Sequence, residues 1–122
     1  DKNLGTVSID DLLVELGMIL RDQARTCDVV ARSDLSEFAV VLPHTSIEKA
    51  EAFAKRILKE VSQTTFAHPT FPTEITLCSG VVTFQGGMGF GAEYVFREAM
   101  CRLLEARSIA DQPIVARRLT AA

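Results

Sequence analysis

The chain has 122 residues, enough for one domain, or a piece of one, and too few for two well-packed ones. Hydrophobic residues make up 48% and charged residues 24%, which lets a core form and argues against a disordered chain. Thirteen Lys and Arg against sixteen Asp and Glu give a formal charge of -3, which argues against a protein held chiefly by nucleic-acid phosphates or anionic lipid; any anion it binds requires a local arginine cluster.

From Ser8 to about Ala24, apolar residues at Ile9, Leu12, Leu13, Leu16, Ile19 and Leu20 have the spacing of one helical stripe. Ser8 is placed to cap this helix, and Asp10 and Asp11 fall in the first turn, where the helix dipole favours negative charge. Two Val-rich runs follow, Val29 to Ser33 and Glu37 to Leu42, separated by Asp34, Leu35 and Ser36, which predicts a hairpin. Pro43 ends the second run. Thr45 and Glu48 have the spacing of a capping box in front of a helix from about Ser46 to Gln63, with Ile47, Ala50, Phe53, Ala54, Ile57, Leu58 and Val61 on one face.

Thr64 to Thr73 contains Pro69 and Pro72 and reads as a loop, and Glu74 to Phe84 reads as a long strand with a bulge or bend at Gly80. Gln85 to Gly91 holds four glycines. A third helix, about Ala92 to Arg107, carries Val95, Phe96, Ala99, Leu103 and Leu104 as its packing residues, and a short strand, Ile114 to Arg117, follows Pro113. Helix, hairpin, helix, strand, helix, strand is the order of an α/β sandwich whose helices cover an antiparallel sheet.

No apolar run approaches the roughly 20 residues of a membrane span, and Asp1-Lys2-Asn3-Leu4-Gly5 lacks the basic-then-apolar order of a secretory signal. A soluble domain is expected, whether or not a larger parent protein is membrane-associated. Cys27, Cys78 and Cys101 are odd in number, widely spaced and far from His44 and His68, so neither a disulfide scaffold nor structural zinc is expected and a reducing cytoplasm fits. Cys78 and Cys101 read as packing residues. Gly87-Met88-Gly89-Phe90-Gly91-Ala92 matches a dinucleotide-binding pattern on its face, but without repeated βαβ order it reads as a flexible loop.

The most informative stretch is Arg25-Thr26-Cys27-Asp28-Val29-Val30-Ala31-Arg32-Ser33-Asp34-Leu35-Ser36-Glu37-Phe38. It resembles the GGDEF family, the diguanylate cyclase fold, in which an Arg-x-x-Asp motif precedes the signature hairpin at a fixed spacing. Asp10, Arg25, Asp28, Arg32, Glu37, Phe38 and Pro43 stand in the matching places, and Ala50, Ala54, Arg56 and Ser79-Gly80-Val81-Val82 extend the likeness from Gly5 to about Val115. The resemblance implies a ferredoxin-like, mostly antiparallel central sheet covered by helices, with the family's first strand lying before Asp1.

The signature itself reads Asp34-Leu35-Ser36-Glu37-Phe38 in place of two glycines, an acid, Glu and Phe. Two glycines let a turn approach a triphosphate closely; Asp34 adds negative charge there and Leu35 adds bulk. Ser36 stands where the resemblance implies a magnesium-binding carboxylate, and a neutral hydroxyl is a much poorer ligand for a hard cation. Asp1, Arg107 and Asp111 stand where it implies a guanine-binding Asn and a phosphate-binding Lys and Arg. No catalytic residue, no metal and no cofactor is therefore expected. Glu37 is given no catalytic role, Phe38 reads as core, and Asp10 as a dipole-favoured acid.

The resemblance also implies a second, inhibitory site for the product cyclic di-GMP, formed here by Arg25, Asp28 and Arg56. The chemistry suits it: guanidinium forks pair with phosphate oxygens or the O6/N7 edge of guanine, and a carboxylate accepts from guanine N1 and N2. The expected function is that of a catalytically inactive cyclic di-GMP receptor passing occupancy to a protein partner, a neighbouring domain or a ligand-linked homodimer. The alternatives are a dimerisation or interaction module that binds no nucleotide, and a residual diguanylate cyclase. Removing Arg25 or Asp28 is expected to cost ligand affinity but almost no thermal stability.

Overall fold

The computed structural model describes residues 9–64, 66–67, 72–73, 77–109 and 112–120. It divides into two compact units, Asp1–Pro43 with Arg56–Thr76, and His44–Lys55 with Leu77–Ala122. None of its helices is long and apolar enough to cross a membrane among the described residues.

In the first unit, α1 spans Ile9–Gln23, with Asp10 and Asp11 in its first turn as the dipole favours. Leu13 and Leu20, seven residues apart, are buried, while Val14 and Met18, outside the apolar stripe, are exposed. Ser8 lies outside the described residues. β1 (Val29–Asp34) and β2 (Glu37–Val41) form an antiparallel hairpin with Val30 opposite Val40 and Arg32 opposite Phe38. The Phe38 ring packs on α1 at Gly17, where an added Cβ would meet it at 3.3 Å. The register slips between Arg32 and Asp34, an irregularity of the ladder just before the hairpin tip.

Helix α2 (Ile47–Gln63) runs through both units. Ala50, Phe53, Ala54, Ile57 and Val61 are all buried, as their i, i+3, i+4, i+7 spacing predicts. Its N-cap is Ser46, one residue on from Thr45: the Lys49 amide donates to Ser46 Oγ at 3.2 Å, and the Ala50 amide to the Ser46 carbonyl at 2.9 Å. Inside the expected loop, β3 (Phe66–Ala67) and β4 (Pro72–Thr73) make a two-residue antiparallel ladder.

The second unit contains a strand, helix, strand crossover. β5 (Ser79–Thr83) pairs in parallel with β6 (Ile114–Arg118), joined through α3 (Ala92–Ser108). This pair departs from the antiparallel expectation because a helical crossover returns the chain in the same direction. The fold class remains α+β, with antiparallel pairing in β1–β2 and β3–β4. Residues 74–76 of the expected long strand lie outside the described residues.

Gly80 does not mark a bulge, since the register runs without a slip from Ser79 opposite Ile114 to Thr83 opposite Arg118. It is the point where α3 lies on the strand: a Cβ there would run into the backbone of Ala99, Arg102 and Leu103. On α3, Ala106 and Arg102 are buried, whereas Phe96 and Leu104, expected to pack, are exposed. Arg102 is matched by Glu98 at 3.2 Å and Glu105 at 2.9 Å, which is what lets a guanidinium sit there. The glycine loop before α3 uses left-handed backbone at Gly87 and Gly89 (φ 87° and 80°), so those two positions need glycine for conformation.

Candidate functional site

Helix α1 closes with the Ala24 amide bonded to the Leu20 carbonyl at 3.0 Å, and a tight turn follows, the Asp28 amide donating to the Arg25 carbonyl at 3.0 Å. Within this turn the Asp28 carboxylate folds back onto Arg25. Oδ2 accepts from the Arg25 amide at 2.7 Å, and the guanidinium closes on the carboxylate through Nε at 3.1 and 3.2 Å and Nη2 at 2.8 Å. Nη2 also donates to the Pro43 carbonyl at 2.8 Å, eighteen residues away, so one side chain ties the end of α1 to the exit of the hairpin.

The two partners sit at different depths. The Asp28 side chain is 1% exposed and that of Arg25 is 51% exposed. The hydrogen bonds from Arg25 hold the Asp28 carboxyl below the usual carboxylate range, and the same pairing raises the Arg25 guanidinium further above its ordinary value. Cys27 Sγ donates to Asp28 Oδ1 at 3.8 Å, a weak contact. A carboxylate buried this deeply is part of the turn's architecture, which argues for a thermal cost on removing Asp28.

Arg56 lies exposed on α2, within the same compact unit as Arg25 and Asp28, and has interactions of its own. Arg21, not among the residues expected at the site, reaches the turn directly: its Nη2 donates to the carbonyls of Arg25 at 3.3 Å and Asp28 at 3.4 Å. Its only signal in the sequence is the i, i+4 spacing to Arg25 on a helix end.

The signature residues form the hairpin tip. Asp34 pairs in register with Glu37, leaving Leu35 and Ser36 as the turn, and neither has positive φ, so the tip is built without the left-handed backbone that glycine would supply. Asp34 Oδ1 accepts from the Leu35 amide at 2.8 Å, and Arg32 Nη2 donates to the Leu35 carbonyl at 2.7 Å. Arg32, Ser33, Asp34 and Leu35 line a shallow open depression, and Leu35 is 80% exposed. Glu37 is half-buried and engaged, Phe38 is packed against α1, and Asp10 stands 4.0 Å from Arg32 in an exposed pair. Arg107 is exposed in the last turn of α3, with an interaction of its own, while Asp1 and Asp111 lie outside the described residues.

These elements define a class: an α+β domain of the nucleotidyl cyclase type, with an arginine–aspartate turn leading into the signature hairpin. The family described as "Diguanylate cyclase, GGDEF domain" matches residues 1–112, and the chain belongs to the GGDEF family. It is similar to the protein named Diguanylate cyclase DgcP of Pseudomonas aeruginosa, 30% identical over 105 residues, which is 86% of this chain. It is also similar to the uncharacterized protein YhcK of Bacillus subtilis, 45% identical over 53 residues, or 43% of this chain. The chain spans 15% of the length of each.

Proposed function

We propose that this GGDEF domain, a cytoplasmic part of a larger signalling protein, is a catalytically silent receptor for cyclic di-GMP that binds through Arg25, Asp28 and Arg56. The observation that carries the reading is the Arg25–Asp28 clasp: at the family's Arg-x-x-Asp position a guanidinium half open to solvent is held rigidly by a buried carboxylate. A preorganised fork loses little freedom when it engages a phosphate or a guanine edge. Arg56, on α2 of the same unit, supplies the second guanidinium.

The silent-cyclase half of the proposal rests on the hairpin tip. Magnesium fits the residues there poorly: Ser36 is a neutral hydroxyl where a carboxylate ligand would be needed, and Asp34 Oδ1 already accepts the Leu35 amide. Incubation with GTP and magnesium is expected to give no cyclic di-GMP. Product formed at a steady rate and abolished by Glu37→Ala would overturn this half.

A second reading is favoured by the same clasp, since an Asp28 carboxylate fully occupied by Arg25 would suit a purely structural turn in an interaction module that binds no nucleotide. Titration of cyclic di-GMP into the chain and into Arg25→Ala and Arg56→Ala variants separates the two. Removing one charge-assisted contact should weaken binding about 10- to 100-fold. Unchanged affinity in both variants would place the ligand elsewhere.

A further inference from the structure

Two arginines frame the turn between α1 and β1, and they differ in how much charge they leave for a ligand. Arg25 is closed on a carboxylate that water barely reaches, and its Nε and Nη2 are spent on Asp28 and Pro43. Much of the Arg25 charge is therefore balanced by Asp28, and what the pair offers a ligand is a fixed hydrogen-bonding fork with little net charge.

Arg21 is placed differently. It is exposed in the last turn of α1 and held over the same turn by two bonds from a single nitrogen, to the Arg25 and Asp28 carbonyls at 3.3 and 3.4 Å. Both are long for N–H···O bonds and are weak. Among the described residues no carboxylate pairs with Arg21, and its Nε and Nη1 have no partner. The uncompensated positive charge of the turn is therefore that of Arg21.

We infer that Arg21 supplies a further phosphate contact at this turn, beside the Arg25 fork, with the Arg25–Asp28 clasp fixing the backbone that positions it; the inference rests on the receptor reading above. A phosphate oxygen offers a full negative charge and short charge-assisted bonds, which outweigh two marginal bonds to carbonyls. The competing role is helix capping, in which a C-terminal arginine satisfies the last carbonyls and complements the dipole.

The test is a calorimetric titration of cyclic di-GMP into the parent chain, Arg21→Gln and Arg21→Lys, with melting temperatures measured on the same samples. Gln keeps an N–H donor for the carbonyls but removes the charge; Lys keeps the charge. The inference predicts at least about tenfold weaker binding for Arg21→Gln, partial recovery in Arg21→Lys and nearly constant melting temperatures. A parent chain that binds nothing overturns the receptor reading and this inference together. A parent that binds, with Arg21→Gln binding equally well, overturns the role of Arg21 alone. Loss of binding that follows a fall in melting temperature and is not recovered by Lys assigns Arg21 to capping and also overturns it.

Discussion

At Asp28 a carboxylate has been taken out of water, and the turn is built to compensate it. Removing Arg25 leaves that carboxylate buried without its cation, whereas removing both partners takes away the uncompensated charge. A double-mutant cycle should therefore find Arg25→Ala and Asp28→Ala each lowering the melting temperature, and the double variant losing clearly less than the sum of the two; strict additivity would mean that the clasp is not a coupled unit. The pH dependence has a definite sign. Because folding lowers the Asp28 pKa, the clasp's contribution is fully present above the ordinary carboxylate pKa of about 4 and is lost as pH falls below it. The parent's melting temperature should fall more steeply than that of Asp28→Asn as pH is lowered from about 5 to 3, and parallel curves would contradict this. Spacing made Arg25 and Asp28 legible as a pair, but spacing carries no information about depth, so the burial of Asp28 was not. Arg21 was missed because a charged residue on a helix end reads as solvated until the carbonyls it covers are located.

At the scale of elements, two glycines make opposite demands. An added Cβ at Gly80 collides with the backbone of α3, which cannot yield locally, so Gly80→Ala should cost about 1–3 kcal/mol or more. At Gly17 the obstacle is the edge of the Phe38 ring at 3.3 Å, which can shift, and alanine is favoured over glycine in a helix by up to about 1 kcal/mol. Gly17→Ala should therefore be close to neutral. Denaturant midpoints measure both, and a Gly80→Ala variant as stable as the parent would contradict the packing of α3 on β5. The helices were legible because a 3.6-residue stripe repeats over many positions; all seven apolar positions expected on α2 are buried or half-buried. Phe96 and Leu104 misled because they are apolar but lie beside the face set by Ala99, Arg102 and Ala106, where a paired arginine occupies a packing position. Gly80 announced a missing side chain without saying what approaches it. A two-residue ladder such as β3–β4 is too short to carry a period.

For the whole molecule, the family was legible in the gapless run from Arg25 to Pro43, and the match over residues 1–112 agrees with it. The direction of β6 relative to β5 was not, because pairing direction depends on the path of the crossover rather than on the strand residues. The two ends of the β1–β2 hairpin differ in what they hold. The tip, Asp34-Leu35-Ser36, contains no glycine and has the Arg32 guanidinium bonded to the Leu35 carbonyl, while the base holds a closed arginine–aspartate pair. The proposed receptor function places recognition at the base of the hairpin. Its most direct test is calorimetric titration of the 122-residue chain with cyclic di-GMP at ligand concentrations up to about 100 µM, a range that resolves a dissociation constant of about 1 µM, or roughly −8 kcal/mol. A saturable binding heat is expected of a cyclic di-GMP receptor. A flat titration of folded protein would contradict it.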